Sequence, residues 1–193
     1  MVEQRHHQKS TRLGLQDAAV RLGVRDGVDS ASIRTIAREA GVTEGAVYKH
    51  FGSKNELIRE AYTAIVDEMA RDKLVLIRAG LPFEHAIGAW VKLTFEYFDG
   101  NRDAFSYVLL MPHRMADALG DVYTKQGDVF RDFLLEAQGR GEARKMDVNY
   151  AYALFTGCVL NVPRLIEEGV LEGPAMRYAK ETAEVVLNIL TDC

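Results

Sequence analysis

The stretch Ser32–Tyr62 reads SIRTIAREAGVTEGAVYKHFGSKNELIREAY, and its spacing decides the fold. Ile33, Ile36, Ala37 and Ala40 fall on one face of a short helix that starts near Ser32. Gly41 breaks that period and tolerates the positive φ of a tight turn. Thr43 can cap a second short helix, TEGAVYKHF, which turns Val42 and Val47 inward against Ile33 and Ile36. Two helices that cross steeply need a small residue at the crossing, and Ala37 supplies it. The segment FGSKNEL ends the pair, and Ser53 with Glu56 three residues later reads as a capping box for a longer helix. This is the skeleton of a helix-turn-helix spanning Ile33 to Phe51. Look-alike skeletons also occur in all-helical proteins, so the residues left outside it carry the functional reading.

Those residues are Thr43, Glu44, Gly45, Ala46, Tyr48, Lys49 and His50, placed to enter a major groove. Tyr48, Lys49 and His50 bring hydroxyl, ammonium and imidazole donors to consecutive positions, a pattern suited to phosphates, and the free amides at the helix start favour the same charge. Lys54 adds a cation at the start of the next helix. For base edges, Arg34 can fork onto a guanine, Glu44 can accept from a cytosine amine, and Ala46 can touch a thymine methyl beside Gly45.

Outward from this stretch the chain reads as helix throughout. Residues 1–10 are expected to form a basic arm, with Ser10 or Thr11 capping a helix to about Arg25 that carries Leu15, Ala18, Ala19 and Leu22 as its apolar stripe. Gly27 follows in the position of a C-cap. The helix begun at Ser53 keeps its period to about Ile77, and the break falls at Ala79–Pro82. Later breaks divide the remainder into about five helices, near 82–99, 102–111, 115–138, 147–168 and 174–191. The expected architecture is all-α, with about nine helices: an N-terminal arm and helix-turn-helix module (1–60) and a helical effector-binding and dimerisation body (61–193).

Composition narrows the class. The hydrophobic fraction of 48% suffices for a buried core, and the net charge is −4. Residues 1–60 carry a balance of +2 and the remainder −6, which suits a local nucleic-acid contact on an acidic body. Cys158 and Cys193 give neither metal spacing nor a disulfide framework, and a cytoplasmic location is expected. The polar N-terminus lacks a signal-peptide core, and the apolar run Ala151–Val162 is too short to span a bilayer. No phosphate loop, nucleophile elbow or paired metal-ligand motif is present, so neither an enzyme nor a cofactor is expected.

The run Ser32–Tyr62 resembles the DNA-binding domain of the TetR family of bacterial repressors in IA-x-x-AGV, a capping Thr, G-x-x-Y-x-HF and SK-x-x-L. The resemblance covers residues 12 to about 62. It implies a ligand-responsive homodimeric repressor, each subunit reading half of a pseudo-palindromic double-stranded operator. It also implies that Thr43, Tyr48, His50 and Lys54 contact phosphates, while Arg34, Glu44 and Gly45 face bases. Two departures stand out. Gly23 lies where the family often has a bulky aromatic, which predicts looser packing, and Ala31 lies where a capping Thr is common, leaving Ser30 or Ser32 to cap.

By the same resemblance the body senses a small molecule. Its many large apolar side chains suggest a hydrophobic or aromatic effector, with Trp90, Phe95, Phe105, Met111, His113, Phe130, Phe155 and Cys158 as candidate lining. Ala151, Phe155, Val159, Ala179, Ala183 and Val186 on the last two long helices are candidate dimer residues, since small side chains allow close helix approach. The alternative is a DNA-binding relative without an effector, acting through protein partners or DNA organisation.

Overall fold

The computed structural model describes residues 2–110, 119 and 121–192, and the side chains of 2–9, 109–110 and 121–126 are not considered further. Nine α-helices are found among the described residues: α1 (Val2–Asp26), α2 (Ile33–Glu39), α3 (Glu44–His50), α4 (Lys54–Arg78), α5 (Phe83–Gly100), α6 (Arg102–Phe105), α7 (Asp121–Arg140), α8 (Val148–Glu167) and α9 (Ala179–Leu190). A π-helical turn, Ser106–Leu110, follows α6, and a 3-10 turn, Ala175–Tyr178, precedes α9. The expected arm is instead helical from Val2, so Ser10 and Thr11 lie inside α1 rather than capping it. Nothing in EQRHHQKS breaks a helix, and Glu, Gln, Arg and Lys are good helix formers.

Two compact units result: Met1–Ile65 with Ser106–Gly120, and Val66–Phe105 with Asp121–Cys193. The division falls inside α4. The first unit differs from the expected 1–60 in taking in a segment forty residues farther along the chain.

The first unit is built on the stripe expected for α1. Leu15, Ala18, Ala19 and Leu22 are buried together with Ala31, Ile36, Ala37, Val47, Phe51 and Leu57, with Ile33, Ala40 and Val42 packed at the edge. Gly23 is not a loose spot, contrary to expectation. The Tyr107 ring, brought in by the π-helical turn, fills the space above it, so a Cβ at Gly23 would lie 2.6 Å from Tyr107 Cε2 and 3.3 Å from Val28 Cγ2. The aromatic bulk comes from a distant segment instead of from α1 itself. Tyr107 is fully buried, and its hydroxyl has no hydrogen-bond partner among the described residues; burial pushes its titration well above the ordinary tyrosine range.

Two glycines of α1 should therefore respond oppositely to alanine. At Gly14 nothing lies within 4 Å of an added Cβ, so Gly14→Ala should stabilise by up to about 1 kcal/mol through helix propensity. At Gly23 the same gain is outweighed by overpacking against a ring that cannot swing away, which costs about 1–3 kcal/mol. Urea denaturation midpoints should rise for the first variant and fall for the second; a rise for both would refute the contact.

The core of the second unit is aromatic. Trp90 of α5 meets Phe130 edge-on at 5.4 Å and stacks on Phe133 at 5.9 Å, while Phe130 stacks on Phe155 of α8 at 4.1 Å. Phe133 also stacks on Phe83 at 5.4 Å. Asp99, near the end of α5, accepts from the backbone N–H of Ala175 (2.8 Å) and Met176 (3.0 Å). These bonds satisfy the amides of the 3-10 turn, so the expected helix 174–191 is split into that turn and α9.

Candidate nucleic-acid interface

The pair α2–α3 is fixed at each end by hydrogen bonds that the sequence encodes. Of the two serines left open as caps, Ser32 serves: its Oγ accepts from Thr35 N–H (3.1 Å), and Thr35 Oγ1 accepts from Ser32 N–H (2.8 Å). Gly41 takes φ +68°, and Val42 N–H donates to Ala37 C=O (2.9 Å), closing the turn. Thr43 Oγ1 accepts from Ala46 N–H (3.2 Å) at the start of α3. Its hydroxyl proton stays available to an acceptor outside. Ser53 Oγ likewise accepts from Glu56 N–H (3.1 Å), but the Glu56 carboxylate bonds Gly52 N–H (2.7 Å), one residue before the position a capping box would use.

With Val47 pinned in the core, the outer face of α3 follows from helical geometry. Glu44, Gly45, Tyr48 and Lys49 are exposed, Tyr48 by 58%, while Ala46 and His50 are half-buried. Arg34 is exposed on α2. Arg34, Glu44, Tyr48 and Lys49 make no hydrogen bond or ion pair among the described residues, so none of those residues competes for their polar ends. Lys54 differs: its ammonium donates to Asp29 C=O (3.2 Å), tying α4 to the α1–α2 turn and leaving two protons for another acceptor.

Arg12 is a residue that sequence reasoning did not single out. Its guanidinium lies 4.4 Å over the Phe51 ring, donates to both carboxylate oxygens of Glu60 at 2.5 Å, and donates to His50 C=O at 2.6 Å. It thereby satisfies a carbonyl at the end of α3 and holds that end against α1 and α4. The partners are 38 and 48 residues away, beyond any local spacing rule.

Of the candidate effector residues, Trp90, Phe130 and Phe155 form one ring cluster, whereas Phe105 packs on Phe98 at 5.1 Å and Phe95 is fully buried. Cys158 is half-buried with a free thiol. Met111 and His113 lie outside the described residues. Phe133 joins the cluster, as does Lys73 of α4, whose ammonium sits 5.9 Å from the Trp90 ring. Of the candidate dimer residues, Ala151, Phe155, Val159, Ala183 and Val186 are already buried within the single chain, and only Ala179 is half-exposed. The outward faces of the same helices carry Tyr150, Ala153, Gly157 and Asn161 on α8 and Val185 on α9.

A family model described as bacterial regulatory proteins, tetR family, matches residues 15–61, the segment that builds this interface. Over 188 residues the chain is 30% identical to the HTH-type transcriptional regulator BetI of Agrobacterium fabrum, covering 91% of this chain and 80% of that protein. The chain belongs to the tetR family. It is a DNA-binding transcriptional regulator and not an enzyme. This family member is also 25% identical over 146 residues to the HTH-type transcriptional repressor KstR2 of Rhodococcus jostii, covering 74% of this chain and 72% of that one. In fold it is similar to the transcriptional regulator FadR from Bacillus subtilis, solved in complex with stearoyl-CoA: TM-score 0.80, 15% identity, 91% of this chain and 97% of that one covered. Among the described residues, no helix is long and apolar enough to cross a membrane, and no group of three His, Cys, Asp or Glu is placed to hold a metal.

Proposed function

We propose that this regulator is a cytoplasmic homodimeric repressor that reads a pseudo-palindromic operator through α3 and is released from it by a small apolar effector. The observation that carries the DNA-reading part is the set of four polar side chains without a partner among the described residues, Arg34, Glu44, Tyr48 and Lys49, on the outer face of a doubly capped α2–α3 pair. Residues 1–60 do the reading, and residues 61–193 hold the effector and the partner subunit. Thr43, Tyr48, Lys49, His50 and Lys54 engage phosphates. Arg34, Glu44, Gly45 and Ala46 face base edges.

For the effector, Trp90, Phe130 and Phe155 support an apolar or aromatic ligand, and the FadR relative in fold carries stearoyl-CoA, a ligand with a long apolar chain. For the dimer, α8 and α9 are favoured through their outward faces, with Tyr150, Ala153, Gly157 and Val185 in place of the residues already covered within one chain. Sedimentation at micromolar concentration should give a dimer.

Selection from a random DNA pool gives the operator on which two variants separate the roles. Lys49→Ala should weaken binding to all sequences alike and lower the salt slope by about 1. Arg34→Ala should relax preference at one base position, at a loss of about 1–3 kcal/mol there. Uniform weakening by Arg34→Ala would move that residue to the phosphate class. Operator complexes that no apolar compound releases would favour a regulator acting through protein partners or DNA organisation.

A further inference from the structure

Lys73 is out of place for a lysine. It lies in the last third of α4, in line with buried Val66, Met69 and Ala70, and is only 4% exposed. Lysines on apolar surfaces usually run their stems along them and keep the ammonium in water. Here the ammonium faces the Trp90 ring at 5.9 Å and makes no hydrogen bond or ion pair among the described residues. Asp72, the nearest acid along the helix, is exposed, and its field reaches Lys73 without pairing with it. A ring face offsets only a small part of what removing an ammonium from water costs. Trp90 is packed in turn by Phe130, Phe133 and Phe155, and these four rings bring only one polar hydrogen, that of the indole.

We propose that Lys73 anchors the head group of an amphipathic carboxylate whose apolar body lies against Trp90 and its neighbouring rings. The inference rests on the reading of the second unit as an effector sensor and adds the charge of the ligand to it. One ammonium without a partner matches one negative charge. A dianion would leave an excess charge in an apolar setting, and a neutral ligand would leave the ammonium unpaired. The rings of Trp90, Phe130, Phe133 and Phe155 offer faces and edges that recognise hydrocarbon or aromatic surface.

The chain has a single tryptophan, Trp90, so its fluorescence reports directly on this spot. Dodecanoate and 2-naphthoate, each alongside its methyl ester, are titrated into the full-length wild-type protein and into Lys73→Met, with operator release followed in parallel. In the wild type, the carboxylates should bind more tightly than the esters by about tenfold or more, the range of a hydrogen bond to a charged group. In Lys73→Met that preference should vanish while ester binding is kept. Acids and esters binding the wild type alike, or Lys73→Met weakening both alike, would overturn the anchor. Operator release by the esters in both proteins would then preserve the sensor and discard only the carboxylate. Silence of Trp90 towards all four probes overturns the anchor as well, and if no operator is released either, the apolar sensor falls with it. The thermal midpoint of Lys73→Met, expected at or above that of wild type, separates a lost ligand contact from a lost fold.

Discussion

Phe130→Ala should lower the unfolding free energy by about 3–5 kcal/mol, the range for deleting a buried aromatic side chain and leaving its cavity behind. The upper part of that range applies because Phe130 is fully buried and touches three rings: Phe155 at 4.1 Å, Trp90 at 5.4 Å and Tyr152 at 5.8 Å. Such pairs contribute about 0.5–1.5 kcal/mol each beyond the area they bury. Phe130→Leu, which keeps most of the volume and loses the ring geometry, should give a distinctly smaller loss. Urea denaturation read by far-ultraviolet circular dichroism measures both, at one fixed protein concentration because the stability of the proposed dimer would depend on it. A loss below about 1 kcal/mol for Phe130→Ala, the ordinary level for surface changes, would mean that the ring cluster does not hold the second unit together.

Lys73→Met should act in the opposite direction, raising stability at pH 7 by roughly 3 kcal/mol. Burial holds the Lys73 ammonium down at about 8, against an ordinary value of 10.5. The unfolded chain therefore binds the proton more tightly than the folded one. Between about pH 8 and 10.5 the unfolded state carries more protons, so wild-type stability attributable to this group rises with pH across that window. Below pH 8 the full penalty is present, at about 1.4 kcal/mol for each unit of the difference. The variant lacks this term, so its advantage should be largest at pH 7 and should have shrunk by pH 9.5. Measurement stays below 10. Above that, the hydroxyls of Tyr97 and Tyr107, pushed up by burial, would ionise first in the unfolded chain and weaken both proteins. A constant gap between wild type and variant from pH 7 to 9.5 would show that the ammonium is not held down by its surroundings.

Much of the interface was legible because its determinants are local. Ser32, Gly41 and Thr43 each act within five residues of themselves, and the inward Val47 fixes by periodicity which neighbours on α3 face out. What was not legible depends on long-range contact. Arg12 on α1 gave no sign of its bond to His50 C=O, and Gly23 read as a gap because the ring that fills it belongs to residue 107. The N-terminal arm was misread because a polar run without breakers has no apolar stripe to announce a helix. In the second unit, spacing told which side chains were large and apolar but not which side of α8 and α9 faced their own chain. Ala151, Val159 and Val186 carry the stripe that packs inward, and a stripe of small residues reads the same whether the next helix belongs to the same subunit or another. Lys73 escaped notice for a related reason: a single lysine in a long helix looks solvated until its surroundings are seen.

The ring of Tyr107 over Gly23 makes the DNA-reading unit non-excisable as a continuous piece of chain. A fragment ending near residue 65 would lack its own lid over α1, and a notch would open beside Leu22 and Val28. The same holds for hybrids in which the reading head of one family member is grafted onto the sensor of another. Here a graft cut at residue 60 would place Gly23 opposite whatever the recipient carries at the position of Tyr107. Such a hybrid keeps its reading head intact only if that residue has the bulk of a tyrosine, or if position 23 is enlarged to match.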